Sequence, residues 1–434
     1  MKTITEEARQ IPVCAETDVL VVGGGLAGVA AAAAASRTGA NVILIEKSII
    51  LGGLATLGHV CVYLPLDDGL GHKIYGGMAE ELLHVCIKYG FNNLPDCWRD
   101  RPDYVRNPCG RYSATFNIPA CVLALDEFLL SENVDVIFDT NFCSPIMEGD
   151  TCRGVIVENK SGRTAYLAKT VVDASGDADV LYRAGAECET QKNIISHWAY
   201  ETDLERMKLA VDSGDIRRAF NLRWLGLRPD VDNTSNPLPQ FYGTTSEGVN
   251  DYIRVSRSLA LDFLKKEHRD DYTMMSLPLM PQFRMTRRLK GMEDVVFVPG
   301  VHSGHSIGCV AHCLEYPAKI YEFPYEGLID SRITNIAAAG RIVSAGGYGW
   351  EVMRCIPACV ATGQAAGTAA AMAAKSGQAL QEVDVAALQR KLADTGVMIH
   401  MYDELKKNAD IKPGKRPPRS DILAAKTDSL SYEH

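Results

Sequence analysis

The sequence predicts an α/β fold in which a strand–helix–strand unit opens the chain, an α+β unit is inserted, and a late segment completes the first unit. Three observations predict it. Residues 18–46 run from an apolar strand, Asp18-Val-Leu-Val-Val, through the turn Gly23-Gly-Gly-Leu-Ala-Gly28 into a small-residue helix, then a second apolar strand ending on Glu46. Residues 190–290 are richer in charge, tryptophan and tyrosine, with helical stretches such as 251–266. From Tyr321 the small-residue style returns, in Asn335-Ile-Ala-Ala-Ala-Gly340-Arg341 and in the run from Pro357 to Met372.

The first unit has the layout of a Rossmann-like adenine-dinucleotide site. A turn built on Gly23 and Gly25 lets the backbone approach a pyrophosphate, and Gly28 lets the helix pack closely on the strand. The free N–H groups of the helix start face the phosphates. A carboxylate at Glu46 can accept hydrogen bonds from the adenosine ribose hydroxyls. The second glycine pair, Gly52-Gly53, favours FAD over a nicotinamide cofactor, because flavoproteins often return a glycine-containing loop over the diphosphate and ribityl chain.

The remaining elements follow in order. Residues 60–125 form a proline-punctuated excursion, with helical periodicity at 78–87. Short apolar or alternating runs at 134–138 and 154–158, bounded by turn residues, predict strands and hairpins of a small antiparallel sheet. Residues 170–179 are a further strand entering a turn with an exposed acid. The expected division is a nucleotide-binding domain over 15–190, a substrate or cap domain over 191–330, the rest of the nucleotide-binding domain over 331–397, with an amphipathic helix at 386–395, and a polar tail over 398–434.

Composition narrows the partners. With 47% apolar and 23% charged residues the chain reads as a globular protein, and a net charge of −9 disfavours nucleic acid or an anionic membrane. The uncharged segment 19–35 is too rich in glycine and alanine, and slightly too short, to span a bilayer. No apolar signal region opens the chain, so a cytoplasmic location is the expectation. Thirteen cysteines without regular spacing suit a reducing compartment, most of them acting as small buried hydrophobes.

Together, Gly23-x-Gly25-x-x-Gly28, Glu46, Gly52-Gly53, Val172-Asp-Ala-Ser-Gly-Asp177, Phe323-Pro-Tyr-Glu-Gly-Leu328, Ala339-Gly340-Arg341 and the stretch from Met353-Arg354 to Gly367 resemble the FAD-dependent oxidoreductase family. The resemblance is to the glutathione-reductase-like FAD fold, with a distant similarity to fumarate reductase flavoproteins. It implies non-covalent FAD with its diphosphate at Gly23, Gly25 and Gly28 beside Leu26 and Ala27, and its ribose at Glu46 beside Lys47. It also implies cofactor contacts at Gly52 and Gly53, a backbone contact to adenine at Cys143, and Ser175, Gly176 and Asp177 by the cofactor. Gly340 and Arg341 would lie by the ribityl or diphosphate, and a helix starting near Ala361-Thr362-Gly363 would aim its N–H groups at the flavin. The family's Arg-Glu-Ser/Thr-Arg-Arg pattern is here Arg284-Met-Thr-Arg287-Arg288, lacking the acid.

With flavin carrying the redox step, the chain must supply orientation, charge stabilisation and a proton-transfer group. The candidates are His305 as general acid or base, Arg287 and Arg354 as carboxylate binders, and Tyr348 from its glycine-rich loop as a substrate contact. His59 and Cys61 follow the second glycine pair and can approach the flavin. The histidines and cysteines of 301–313 match no common zinc frame, so no metal is expected. The expected activity is hydride transfer between a small-molecule CH–OH or CH–NH group and flavin N5. Reduction of an activated C=C bond is the alternative within enzymes, and a tRNA-binding or structural flavoprotein the alternative outside them. With one GxGxxG only, an external electron donor or acceptor is expected, and a homo-oligomer is open.

Overall fold

Apolar runs that are buried on both sides favour a parallel sheet covered by helices on both faces. Val19–Val22 and Val42–Ile45 are such runs, and in a computed structural model describing residues 2–226, 238–267, 269–312 and 317–410 they are neighbouring parallel strands. The sheet orders Asp135–Ile137, Val42–Ile45, Val13–Val22, Gly162–Asp173, Thr151–Asn159 and Asn141–Glu148. The long strand Gly162–Asp173 joins two regimes. Its first half pairs antiparallel with Thr151–Asn159, while Val171–Asp173 lies between Leu20–Val22 and Ile336–Ala338, parallel to both. The architecture is therefore mixed α/β, with parallel strands extended by an antiparallel meander.

Helix Leu26–Arg37 is buried from Leu26 to Ala35, which explains its run of alanines. Helix Ile356–Ser376 lies directly against it: a Cβ on Gly363 or Gly367 would fall on the backbone of Ala27 or Ala31. Small residues four apart on both helices permit this approach.

The inserted part carries a three-stranded antiparallel sheet, in the order Asn221–Gly226, Ser196–Asp203, Tyr272–Ser276. Helices Leu204–Ser213 and Ser246–Lys266 accompany it, and Ile195, Tyr252 and Phe283 form a small core of their own. Residues 306–324 were expected with this unit, but the hairpin Ser306–Ala311 and Ile320–Pro324 packs into the large core through Ile307, Val310, Tyr321 and Phe323. The helices expected at 78–87 and 386–395 are Met78–Ile87 and Val385–Asp394.

Of the tail expected over 398–434, residues 398–410 are packed: Met401 and Leu405 are buried, and Asn408 donates to Asp68 at 3.0 Å. Residues 411–434 lie outside the described residues. Cys61, Cys86, Cys121, Cys152 and Cys309 are buried free thiols, whereas Cys97 and Cys109 are joined as a disulfide. No helix among the described residues is long and apolar enough to cross a membrane.

Candidate active site

In open α/β sheets, ligands gather at the carboxyl ends of the strands. Four strand ends converge here on one cavity of about 1200 Å³, through Gly23 and Gly25, Glu46 and Lys47, Ser175 to Asp177, and Ala339 to Arg341. Such a volume exceeds the ~300–1,000 Å³ of an ordinary ligand pocket, leaving room for a cofactor and a substrate together.

Gly23 has φ +108°, and a Cβ there would meet the Ala174 backbone. Gly28 sits against the Gly23 carbonyl, so it shapes the turn from behind and does not line the cavity. Gly25 is different: it is extended, and a Cβ on it would meet nothing within 4 Å. Its Cα faces open space at the start of helix Leu26–Arg37, where first-turn N–H groups have no intrahelical acceptor. That is the cradle a diphosphate requires.

The buried carboxylate of Glu46 accepts from Gly24 N at 2.6 Å and from Ser48 N at 2.8 Å, tying the glycine turn to the second strand. Each carboxylate oxygen retains capacity for a ribose hydroxyl. Asp177 pairs with Arg341 at 3.0 Å and accepts from Thr286 Oγ1 at 2.7 Å, which holds the guanidinium against Gly176. Leu26, Ala27, Gly52, Gly53 and Gly340 complete this wall.

Several expected positions fall elsewhere. The late helix begins at Ile356, not near 361, and its start reaches the cavity through Cys355, Ile356 and Cys359. Ala361, Thr362 and Gly363 lie beyond that first turn and do not line it. Thr362 Oγ1 accepts from Gly340 N at 3.0 Å, and Gly363 serves the helix contact. Cys143 also lies off the cavity; Thr140, Asn141 and Phe142 line it, and the Cys143 carbonyl accepts from Arg183.

The catalytic candidates separate likewise. Arg354 lines the cavity, paired with Glu351. His305 is exposed and bonds Glu326, and exposed Tyr348 lies 5.6 Å from the His312 ring, both outside the lining. Arg287 is buried behind the wall, 3.9 Å over the Tyr182 ring and 3.2 Å from Asp179. His302 and His400 bond Glu322 through Nδ1 at 2.8 and 3.0 Å, making a separate cluster whose ligand atoms lie within 4.8 Å.

The cavity continues from the strand ends into a chamber that no motif announced. One face of the inserted sheet supplies Trp198, Tyr200, Leu222 and Trp224, which are cross-strand partners. Alternate residues of a strand share a face, so the spacings Trp198-x-Tyr200 and Leu222-x-Trp224 were the available signal. Met280 to Arg284 close another side, anchored by Gln282 Oε1 accepting from Trp198 N at 2.9 Å.

His59 lines the cavity, buried and left-handed at φ +57°. Its ring stands edge-on 5.4 Å from Tyr200, and Nδ1 has no hydrogen-bond partner. Burial lowers its pKa from the usual histidine range, partly offset by a backbone hydrogen bond to Trp198. Cys61 contacts the Tyr200 hydroxyl at 2.9 Å, and burial pushes its thiol up to about 11, keeping it protonated at neutral pH.

The strand-end cradle, the buried ribose acceptor and the joined chamber define a dinucleotide-dependent enzyme. The chain belongs to the FAD dependent oxidoreductase family, whose sequence model matches residues 18–197 and 301–392. FAD is its cofactor, and the open face of Gly25 fits it. A thioredoxin reductase of Ureaplasma parvum serovar 3 (strain ATCC 700970) is 37% identical over 70 residues, 16% of this chain and 23% of that protein. The match thus spans less than a quarter of that relative. Among solved structures, the p-nitrophenol 4-monooxygenase PnpA from Pseudomonas putida DLL-E4 aligns over 91% of this chain and 92% of its own, at 13% identity and TM-score 0.49. The myxobacterial chondrochloren halogenase CndH aligns over 87% and 78%, at 14% identity and TM-score 0.41.

Proposed function

We propose that this enzyme is a dehydrogenase of a small molecule that carries a CH–OH or CH–NH group, with the FAD along the strand ends and the substrate in the chamber beneath the inserted sheet. The observation that carries this reading is the continuity of the cavity from the Gly25 cradle to the buried His59. Bound FAD supplies the redox chemistry, exchanging a hydride with the substrate carbon at its N5.

The chain's own residues do the rest. Gly23, Gly25 and the helix start would hold the diphosphate, Glu46 the ribose, and Arg341, fixed by Asp177, the neighbouring anionic part of the cofactor. In a glutathione-reductase-type arrangement, Glu46 would hold the adenosine end of the cofactor and the helix start at Ile356 would face its redox end. His59 takes the place expected for His305: its neutral, unpartnered Nδ1 is suited to accept a hydroxyl or ammonium proton as the substrate is oxidised. The aromatic sheet face excludes water around that transfer. A diffusing or protein electron acceptor then completes the cycle.

The test is anaerobic bleaching of the purified yellow protein by a panel of hydroxy acids, sugars and amines. His59→Gln should retain FAD, slow reduction by about 10²–10⁴-fold and flatten the acid limb of the rate profile. An unchanged rate and profile would overturn the role of His59, and reductive inertness towards every alcohol and amine would overturn the dehydrogenase reading.

A further inference from the structure

We infer that the chamber selects an aromatic anion, a flat apolar ring bearing a carboxylate or phenolate oxygen; this rests on the chamber being the substrate site. Two independent features point there. The first is the wall. Trp198, Tyr200, Leu222 and Trp224 share one face of the inserted sheet, with Phe220 and Phe283 also lining the chamber, so the ligand meets ring faces and edges. Aromatic surroundings favour a flat ring, through offset or edge-to-face contact.

The second feature is the sign of unused hydrogen-bonding groups on the inserted unit's side of the chamber, a unit to which the His59 acceptor does not belong. Trp198 Nε1 and Arg218 Nε are buried atoms of cavity-lining residues, and neither has a hydrogen-bond partner. Indole and guanidinium N–H groups can only donate. A buried donor left unmet costs about 1–3 kcal/mol, so a ligand that brings acceptors recovers that loss.

The charge agrees. Arg217 and Arg218 line the chamber, and one carboxylate answers both: Asp215 bonds Arg217 at 2.8 Å and lies 4.0 Å from Arg218 Nε. Among the described residues, the carboxylates that line the cavity are Glu46, Asp177 and Asp179, all in the strand-end wall or the turn after it. The inserted-unit half thus offers donors and positive charge to its ligand, without a lining acid among the described residues to hold an ammonium. An amine or a polyol would leave these donors poorly matched, while an anionic oxygen takes a charge-assisted bond.

The experiment titrates the FAD-loaded protein with benzoate and 4-hydroxybenzoate, and in parallel with benzyl alcohol, benzylamine, acetate and glucose. Binding is read by calorimetry and by perturbation of the flavin spectrum. The aromatic anions should bind at least tenfold more tightly than every control. Arg218→Gln should weaken benzoate about 10–100-fold, the loss of one charged hydrogen bond of roughly 1.5–3 kcal/mol, while FAD content stays unchanged. Trp198→Phe keeps the ring and removes the donor, and should weaken benzoate by about tenfold.

Equal binding of benzylamine or benzyl alcohol would overturn the inference, as would full benzoate affinity in both variants. Failure of the function proposal looks different. A protein whose FAD no alcohol or amine reduces, yet which binds benzoate through Arg218, loses the dehydrogenase reading and keeps the selectivity. One reduced by alcohols but indifferent to aromatic anions loses only the selectivity.

Discussion

Two glycines of this chain look alike in sequence and have opposite jobs, which a pair of substitutions separates. A Cβ on Gly25 enters open space, and its backbone, at φ −65° and ψ 170°, is one any residue adopts. Gly25→Val should therefore leave the apoprotein's stability within about 0.5 kcal/mol of the parent. Its side chain occupies the approach to the helix N–H groups, however. Losing two hydrogen bonds to a charged acceptor, at roughly 1.5–3 kcal/mol each, weakens FAD by about 10²–10⁴-fold. A Cβ on Gly363 instead falls on Ala27 O, C and Cα, backbone atoms that cannot rotate away. Gly363→Ala should push the two buried helices apart and destabilise the apoprotein by about 1–3 kcal/mol. The assay is thermal unfolding of flavin-stripped protein, followed by FAD titration through quenching of flavin fluorescence. If Gly363→Ala melts like the parent and loses FAD, while Gly25→Val unfolds early, the assignment of cradle and helix contact is reversed.

Other consequences follow from buried polar groups. Thr362→Val preserves shape but strands the Gly340 N–H that its hydroxyl accepts at 3.0 Å, so chemical denaturation should show a loss of about 1–3 kcal/mol. Burial pushes the Glu322 carboxyl up, but hydrogen bonds from His400, the Ser303 and Met401 N–H groups and His302 outweigh it and leave the pKa lowered. A carboxyl with a folded pKa below its unfolded one contributes stability above the unfolded value and loses it as pH falls through the folded one. Glu322→Gln should accordingly cost about 1.5–3 kcal/mol at pH 7, and the gap from the parent should narrow below about pH 4; a gap independent of pH would contradict the charged cluster.

The readable part of this protein is the part written in backbone chemistry. A diphosphate needs close approach at Gly23 and Gly25, a ribose needs an acceptor at Glu46, and each demand restricts residue type at a fixed place along a strand–turn–helix. Those positions line the cavity. Arg341 and Asp177 were readable for the same reason, each standing just beyond a strand end. His305 was not, because its attraction lay in a local cluster of histidines, and nothing in a sequence distinguishes an exposed imidazole bonded to Glu326 from one facing a buried substrate.

Gly363 faces a neighbouring helix for a reason the local sequence does not carry. Gly363-Gln-Ala-Ala-Gly367 combines small residues four apart, and that spacing serves a flavin and a neighbouring helix equally well. What decides between them is the partner: Ala27 and Ala31, also four apart, lie more than three hundred residues earlier and meet Gly363 and Gly367 one to one. The same logic explains the hidden chamber. Trp198-x-Tyr200 and Leu222-x-Trp224 are unremarkable strand patterns until pairing stacks them on a single face. Under the proposed function, cofactor binding is encoded by residue types set along one strand–turn–helix, whereas substrate choice is encoded by which face of an inserted sheet turns inward. The former is a property of a motif and the latter of a register, so a shift of one residue in the strand Ser196–Asp203 would turn His197 and Ala199 inward and replace an aromatic chamber while leaving the FAD cradle untouched.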